Sequence, residues 1–332
     1  MTGNDGLTVA QATASAPVAV VYGGRSSERD ISLLSGAAVL QGLRDAGINA
    51  VGLDAADQLI GKLQALRPSS VFIALHGPGG EDGVLQGALE WLGLPYTGSG
   101  VLASALAMDK VRCKQLWVGM GLPTAPFALL HAHSDWRQVL TDLGGVAMVK
   151  PSREGSSIGM ARASSPRELE DAWRAAARLD SSVLAERWLQ GAEYTVAIVN
   201  GRALPAIRLE TDREFYDFEA KYVANDTRYL CPCGLDAEGE QAIQALALNA
   251  FASLGGEGWG RVDIMADRDG ALYLLEVNTV PGMTNHSLVP MAAQAAGLSF
   301  SELVVQILDS ARLQAASVSA DRASSASAQV SQ

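Results

Sequence analysis

The chain has 332 residues, 48% hydrophobic and 18% charged, enough for two or three domains of about 100–200 residues that each bury a core. Lysine and arginine total 25 against 36 aspartates and glutamates, a net charge of −11. That balance argues against sequence-independent nucleic-acid binding, which needs a basic footprint, and any anionic ligand must be met by local cations.

Only five of the cations are lysine (Lys62, Lys110, Lys114, Lys150 and Lys221), so each is worth considering for a role that wants a compact, mobile charge. Cys113, Cys231 and Cys233 have no C-x-x-C spacing and read as reduced thiols. Residues 1–16 lack the basic and apolar segments of a signal peptide and read as a flexible leader. No run of about 18 apolar residues occurs, so the expectation is a cytoplasmic protein with no membrane partner.

Strand and helix patterns then alternate, which predicts an α/β (α+β) fold. Val18–Tyr22 is an apolar run ending in Gly23-Gly24, followed by a helix to about Ala46, a strand from Ile48 to Leu53 and a buried strand Val71–Leu75. The loop His76–Gly83 and a helix Val84–Leu92 complete an N-terminal α/β unit, residues 17–100, with an open parallel sheet. A continuous helical pattern runs on to Met120. Next come a strand Val146–Lys150, a helix near Pro166–Leu179 and a strand Val183–Trp188, a second unit over 101–190. Asn200-Gly201 between Tyr194–Val199 and Arg202–Leu209 is a type I′ hairpin signal. Thr211–Gly234 has no clear period and reads as a long functional loop; a helix to Leu254 and a last hairpin close a third unit over 191–310. Residues 311–332 form an Ala/Ser tail with little to bury.

The last hairpin carries the sharpest inference. A two-residue turn at Asp269-Gly270 pairs Asp263 with Glu276 and Arg261 with Asn278, all four on one face, with Val262, Ile264, Leu275 and Val277 on the other. Directly opposed carboxylates repel, so a cation belongs between them. Two carboxylates and an amide favour Mg²⁺ or Mn²⁺ over zinc. The alternative is a solvated charged face with a slipped register.

Lys150 ends a strand, and Glu154-Gly-Ser-Ser-Ile-Gly159 follows at once. Small residues let backbone amides approach phosphate oxygens, so beside a divalent-metal hairpin this reads as a phosphate loop. It is neither a P-loop nor a dinucleotide fingerprint, and Gly23-Gly24 lacks the G-x-G-x-x-G spacing of a dehydrogenase.

Eight segments in order resemble the D-alanine–D-alanine ligases of the ATP-grasp superfamily across residues 17–310. They are Gly23–Ser32, His76–Gly83, Tyr96–Gly100, Met108–Lys110, Val149–Ser157, Phe215–Tyr222, Gly258–Asp263 and Glu276–Leu288. The resemblance implies a three-domain ATP-grasp fold and a homodimer. It also implies ATP-dependent joining of two D-alanines through a D-alanyl phosphate, for peptidoglycan precursor synthesis.

By motif, Asp263, Glu276 and Asn278 would hold two Mg²⁺ (or Mn²⁺) ions. Lys110, Lys150, Ser157 and Lys221 would contact the ATP phosphates. Glu186 and Leu189 would bracket the adenine and Glu193 the ribose, while Arg187 stands where many relatives have lysine. Glu28 would bind the first D-alanine's ammonium and bond with Ser156 and Tyr222, with His76 nearby. Arg261 and the Gly282 amide would stabilise the tetrahedral oxyanion, and Ser287 and Leu288 would receive the second D-alanine's carboxylate at a helix N-terminus. Other readings are a ligase making D-alanyl-D-lactate, against which Tyr222 speaks, and a sensor that binds ATP without turnover.

Overall fold

The computed structural model describes residues 16–155, 157–211 and 227–312. The leader, Ser156, Lys221, Tyr222 and most of the tail lie outside the described residues.

The first sheet is parallel, in the order β2-β1-β3, with β1 Val18–Tyr22 between β2 Ala50–Asp54 and β3 Ser70–Ile73. Every β1 residue from Val18 to Val21 is fully buried, as expected of a central parallel strand covered on both faces. Helices α1 Arg29–Asp45, α2 Leu59–Leu66 and α3 Val84–Leu92 belong to this block.

The continuous helix expected up to Met120 is broken at Asp109. That residue adopts an extended conformation, and its carboxylate accepts from the Arg112 amide, so α4 Val101–Met108 ends and α5 Lys110–Gly119 starts afresh. Lys110 thereby becomes the first residue of a helix. It sits beside the loop after β5, because the Lys110 amide donates to Ser152 O.

The second sheet is antiparallel, β4-β7-β5-β6: β4 Phe127–Leu130, β5 Ala147–Pro151, β6 Ala161–Ala163 and β7 Val183–Arg187. Helix α6 Trp136–Asp142 and helix α7 Pro166–Ala176 pack on it. Ser165 caps α7 through the Glu168 amide, with proline at the first helical position.

The third sheet is also antiparallel, β11-β10-β8-β12-β13, with β9 on β8. Its strands are β8 Glu193–Val199, β9 Arg202–Ala203, β10 Ile207–Glu210, β11 Arg228–Leu230, β12 Trp259–Ala266 and β13 Leu272–Asn278. Asn200 and Gly201 both take positive φ, as a type I′ turn requires. The single strand expected over Arg202–Leu209 is split around Pro205, which has no amide for the ladder. The long loop expected up to Gly234 contains β11, which pairs with β10. Helix α8 Ala237–Ser253 backs this sheet, and α9 Leu288–Ala295 and α10 Phe300–Leu308 pack into the core of the first block. Truncating a wholly buried side chain such as Leu184 or Ile198 to alanine costs about 2–5 kcal/mol. Among the described residues no single helix is long and apolar enough to cross a membrane.

Candidate active site

Strands β12 and β13 place Arg261 opposite Asn278 and Asp263 opposite Glu276, the pairing that the sequence spacing predicts. They reach it by another route. The turn is longer than two residues: Asp267 N–H donates to Ala271 O, and Ala266 faces Leu272. A bulge between Asp263 and Ile264 takes up one residue and restores the register at the carboxylates. Leu274, not Leu275, therefore joins the core, while Leu275 turns to the cleft beside Met265.

The two carboxylates do not face each other bare. Arg261 donates from Nε and Nη2 to the two Asp263 oxygens at 2.8 and 2.7 Å, and Thr195 and Asn278 add bonds of 2.7 and 3.2 Å. Lys110 Nζ lies 3.2 Å from Glu276 Oε2 and donates to Glu154 O in the phosphate loop at 2.8 Å. Protein cations thus stand where the opposed charges demand them. Among the described residues no three His, Cys, Asp or Glu side chains form a metal cluster, so the donors here are two carboxylates and one amide. That oxygen-only set fits a hard divalent ion that shares its coordination with a phosphate.

Deeper in the cleft, β7 contributes Glu186, 3% exposed, between two ammonium groups. Lys114 Nζ is 2.7 Å from Glu186 Oε2, and Lys150 pairs with the other oxygen. Burial alone would raise the Glu186 carboxyl, but the charges of Lys114 and Lys150 outweigh it and hold its pKa down to about 2. Lys114 also donates to Thr124 Oγ1 at 2.7 Å, and Thr124 to Leu274 O, which ties this cluster to β13. This cluster carries one carboxylate against two ammoniums, a local positive excess in a cleft that Glu154, Glu193, Asp263 and Glu276 also line.

Glu28 is the N-cap residue of α1, yet its side chain does not cap the helix. Its carboxylate sits between two glycines: a Cβ on Gly77 would meet Oε2 at 2.7 Å, and one on Gly155 would come within 3.0 Å of both oxygens. The first-strand block and the loop after β5 therefore close around this one acid. Across the opening, α9 starts at Leu288 with no side-chain cap, because the Ser287 hydroxyl instead accepts from the Thr284 amide at 2.9 Å.

Glu28, His76, Arg261, Glu276, Asn278, Gly282, Ser287 and Leu288 line one cavity of about 660 Å³. Lys150, Ser157, Glu186, Leu189, Glu193 and Asp263 line a narrower cleft whose walls come from both antiparallel sheets. Lys110, Glu154, Gly155, Arg261, Glu276 and Leu288 border both, so the two spaces meet at the carboxylate hairpin. Every expected site residue within the described chain falls in one or the other; Ser156, Lys221 and Tyr222 lie outside it. Three residues that hold the site's side chains were not anticipated: Lys114 on Glu186, Thr195 on Asp263, and Ser35, whose hydroxyl is 2.9 Å from His76 Nε2. Only Lys114 carried a signal, as one of five lysines and one turn along α5 from Lys110.

A slot between two antiparallel sheets, floored by lysines and opening at the carboxylate pair onto a second chamber, defines an ATP-grasp enzyme. Family models for the D-ala D-ala ligase N-terminus and C-terminus match residues 55–99 and 116–309. The D-alanine–D-alanine ligase of Nitrosococcus oceani is 59% identical over 293 residues, 88% of this chain and 93% of that protein. That of Saccharophagus degradans is 58% identical over 289 residues, 87% of this chain and 92% of the other. The crystal structure of a Bacillus anthracis D-alanine–D-alanine ligase complexed with ATP superposes with a TM-score of 0.78 at 31% identity, covering 89% of this chain and 97% of that one. The chain belongs to the D-alanine–D-alanine ligase family.

Proposed function

We propose that this protein joins two molecules of D-alanine to D-alanyl-D-alanine at the expense of ATP, in the cytoplasm, as a step toward peptidoglycan. The observation that carries this reading is the meeting of the two chambers at Arg261, Glu276 and Lys110. A nucleotide in the narrow cleft then points its terminal phosphate into the space that Glu28 and Gly282 line.

The first D-alanine is held by its ammonium at Glu28, which leaves its carboxylate turned toward the γ-phosphate. Attack forms the carboxyl–phosphate bond and releases ADP. The second D-alanine's amine then attacks the acyl carbon; a C–N bond forms, the C–O bond to phosphate breaks, and phosphate departs with the proton that the amine gives up. Lys110 and Lys150 offset phosphate charge during the first step. Arg261 and the Gly282 amide receive the oxyanion of the second, and α9 offers its uncapped first turn to the second carboxylate. Glu186, kept ionised by Lys114 and Lys150, presents only acceptors, which suits the amino group of adenine. Leu189 and Glu193 complete the nucleoside site, and Ser157 adds to the phosphate loop.

Asp263, Glu276 and Asn278 would hold two Mg²⁺ or Mn²⁺ ions, which would supply positive charge to the ATP phosphates. Arg261 must then leave Asp263 for the oxyanion, so one side chain serves two states. Ser156, Lys221 and Tyr222 are assigned by motif alone, as are the homodimer and the division into units 17–100, 101–190 and 191–310.

The test is ADP release by the purified protein with ATP and Mg²⁺, with and without D-alanine, and assay of the product for dipeptide. D-alanine-dependent release with one dipeptide per ADP is expected. Release independent of D-alanine, or a preference for D-lactate, would overturn the reading.

A further inference from the structure

Ser35 lies two turns beyond Glu28 on α1, about 10 Å along the axis, and is fully buried. A helical serine usually returns its hydroxyl to its own backbone. Here the hydroxyl reaches across the molecule. The Met283 amide donates to Ser35 Oγ at 3.1 Å, a contact between residues 248 apart in sequence. The same oxygen is 2.9 Å from His76 Nε2, and His76 Nδ1 is 2.8 Å from Val280 O.

The directions of these bonds follow from their chemistry. A carbonyl oxygen only accepts, so His76 carries its proton on Nδ1 and donates it to Val280. In the neutral ring Nε2 is then an acceptor, and the Ser35 hydroxyl donates to it while keeping a lone pair for Met283 N–H. Glu81, 3.4 Å from Nδ1, is a second acceptor on the same side. Burial pushes its carboxyl up, and the Val280 contact fixes the proton on Nδ1 whichever form Glu81 takes. Each donor in the chain has an acceptor, and Nδ1–H has two within reach, Val280 O and Glu81.

The consequence is a clamp with two jaws. Val280 O and Met283 N, at the two ends of a four-residue segment, are both tied to the Ser35–His76 pair, and Gly282 lies between them. We propose that Ser35 is a positioning residue for the second step of the reaction: through this clamp it sets the Gly282 amide relative to Glu28, which stands on the same helix. The inference rests on the assignment of Gly282 to the oxyanion. Because α1 is rigid, the anchor of the first substrate's ammonium and the donor for its acyl oxygen are held in one frame. An amide misplaced by a fraction of an ångström still permits acyl phosphate formation but slows aminolysis. Water then takes the amine's place at the acyl carbon, returning D-alanine and phosphate.

The experiment compares full-length wild type with Ser35→Ala and measures ADP released per dipeptide formed, the KM for ATP and the thermal midpoint. Arg261→Lys, which alters the other oxyanion donor, is run beside it. For Ser35→Ala the expected result is dipeptide turnover lowered about tenfold, a ratio rising severalfold above one, and an unchanged KM for ATP. A serine that only satisfied a buried amide would change stability and leave the ratio at one. A ratio of one in Ser35→Ala with a raised ratio in Arg261→Lys would overturn the role of Ser35 alone. A ratio of one in both would overturn the oxyanion assignment with it. Should the alanine variant not fold, Ser35→Cys, which fills the volume but bonds weakly, carries the same expectation at smaller amplitude.

Discussion

Glu276 stands directly across the ladder from Asp263, and it does so because one bulge cancels the extra residue of the turn beyond it. Without the bulge Glu276 would slide to the core face, since a one-residue slip moves every side chain of a strand to the opposite side. The metal assignment depends on this register. Glu276→Gln should lower Mg²⁺-supported turnover by about two orders of magnitude or more while the thermal midpoint stays near wild type. Near-normal rates across a Mg²⁺ titration would remove Glu276 from the site.

On the proposed reading, a divalent ion would take the Asp263 oxygens to which Arg261 donates. Arg261→Met should therefore bind Mn²⁺ more tightly than wild type in the absence of nucleotide, although its turnover is lost. Titration followed by Mn²⁺ paramagnetic resonance reads the affinity directly. Weaker binding in the variant would mean that the guanidinium does not occupy the ion's place.

The Lys114–Glu186–Lys150 cluster gives a pH signature. The folded pKa of Glu186 lies near 2, below the roughly 4.3 of an unfolded glutamate. Its contribution to stability is thus fully present above about pH 4.3 and is lost as pH falls toward 2. Glu186→Gln leaves two buried ammoniums uncompensated and should cost roughly 3–5 kcal/mol at pH 7. Urea unfolding at a series of pH values should show that gap narrowing below about pH 4. A gap independent of pH would point to packing as its source.

Gly155 tests the location of Glu28 without touching either carboxylate oxygen chemically. Gly155→Ala puts a methyl within 3.0 Å of both oxygens and forces the side chain aside. The KM for D-alanine should rise about tenfold, near 1.4 kcal/mol, and by more than the KM for ATP. Equal KM values for D-alanine would place Glu28 away from the substrate.

Within the described residues, the site was legible wherever chemistry recurs at short spacing. Alternation along Arg261, Asp263, Glu276 and Asn278 placed four polar side chains on one face, and Lys150 before a run of small residues pointed to a loop that lines the narrow cleft. The turn was misjudged because Asp269-Gly270 looks like a two-residue loop, whereas Asp267 accepts from the Asp269 and Ala271 amides and widens it. The helix break at Asp109 was missed because apolar residues continue across it, and only the cap geometry ends the first helix.

By itself, then, the sequence determined the strands of the first sheet, the two hairpins, the family and the face on which the carboxylates lie, because periodicity and turn chemistry act between near neighbours. Tertiary structure alone decided that Lys114 neutralises Glu186 from a helix 72 positions earlier, and that Ser35 grips Met283 across 248 residues. Such contacts leave no periodic trace. Their existence depends on how three sheets and their helices pack, and a buried hydroxyl or ammonium reveals its purpose only once its partner is beside it.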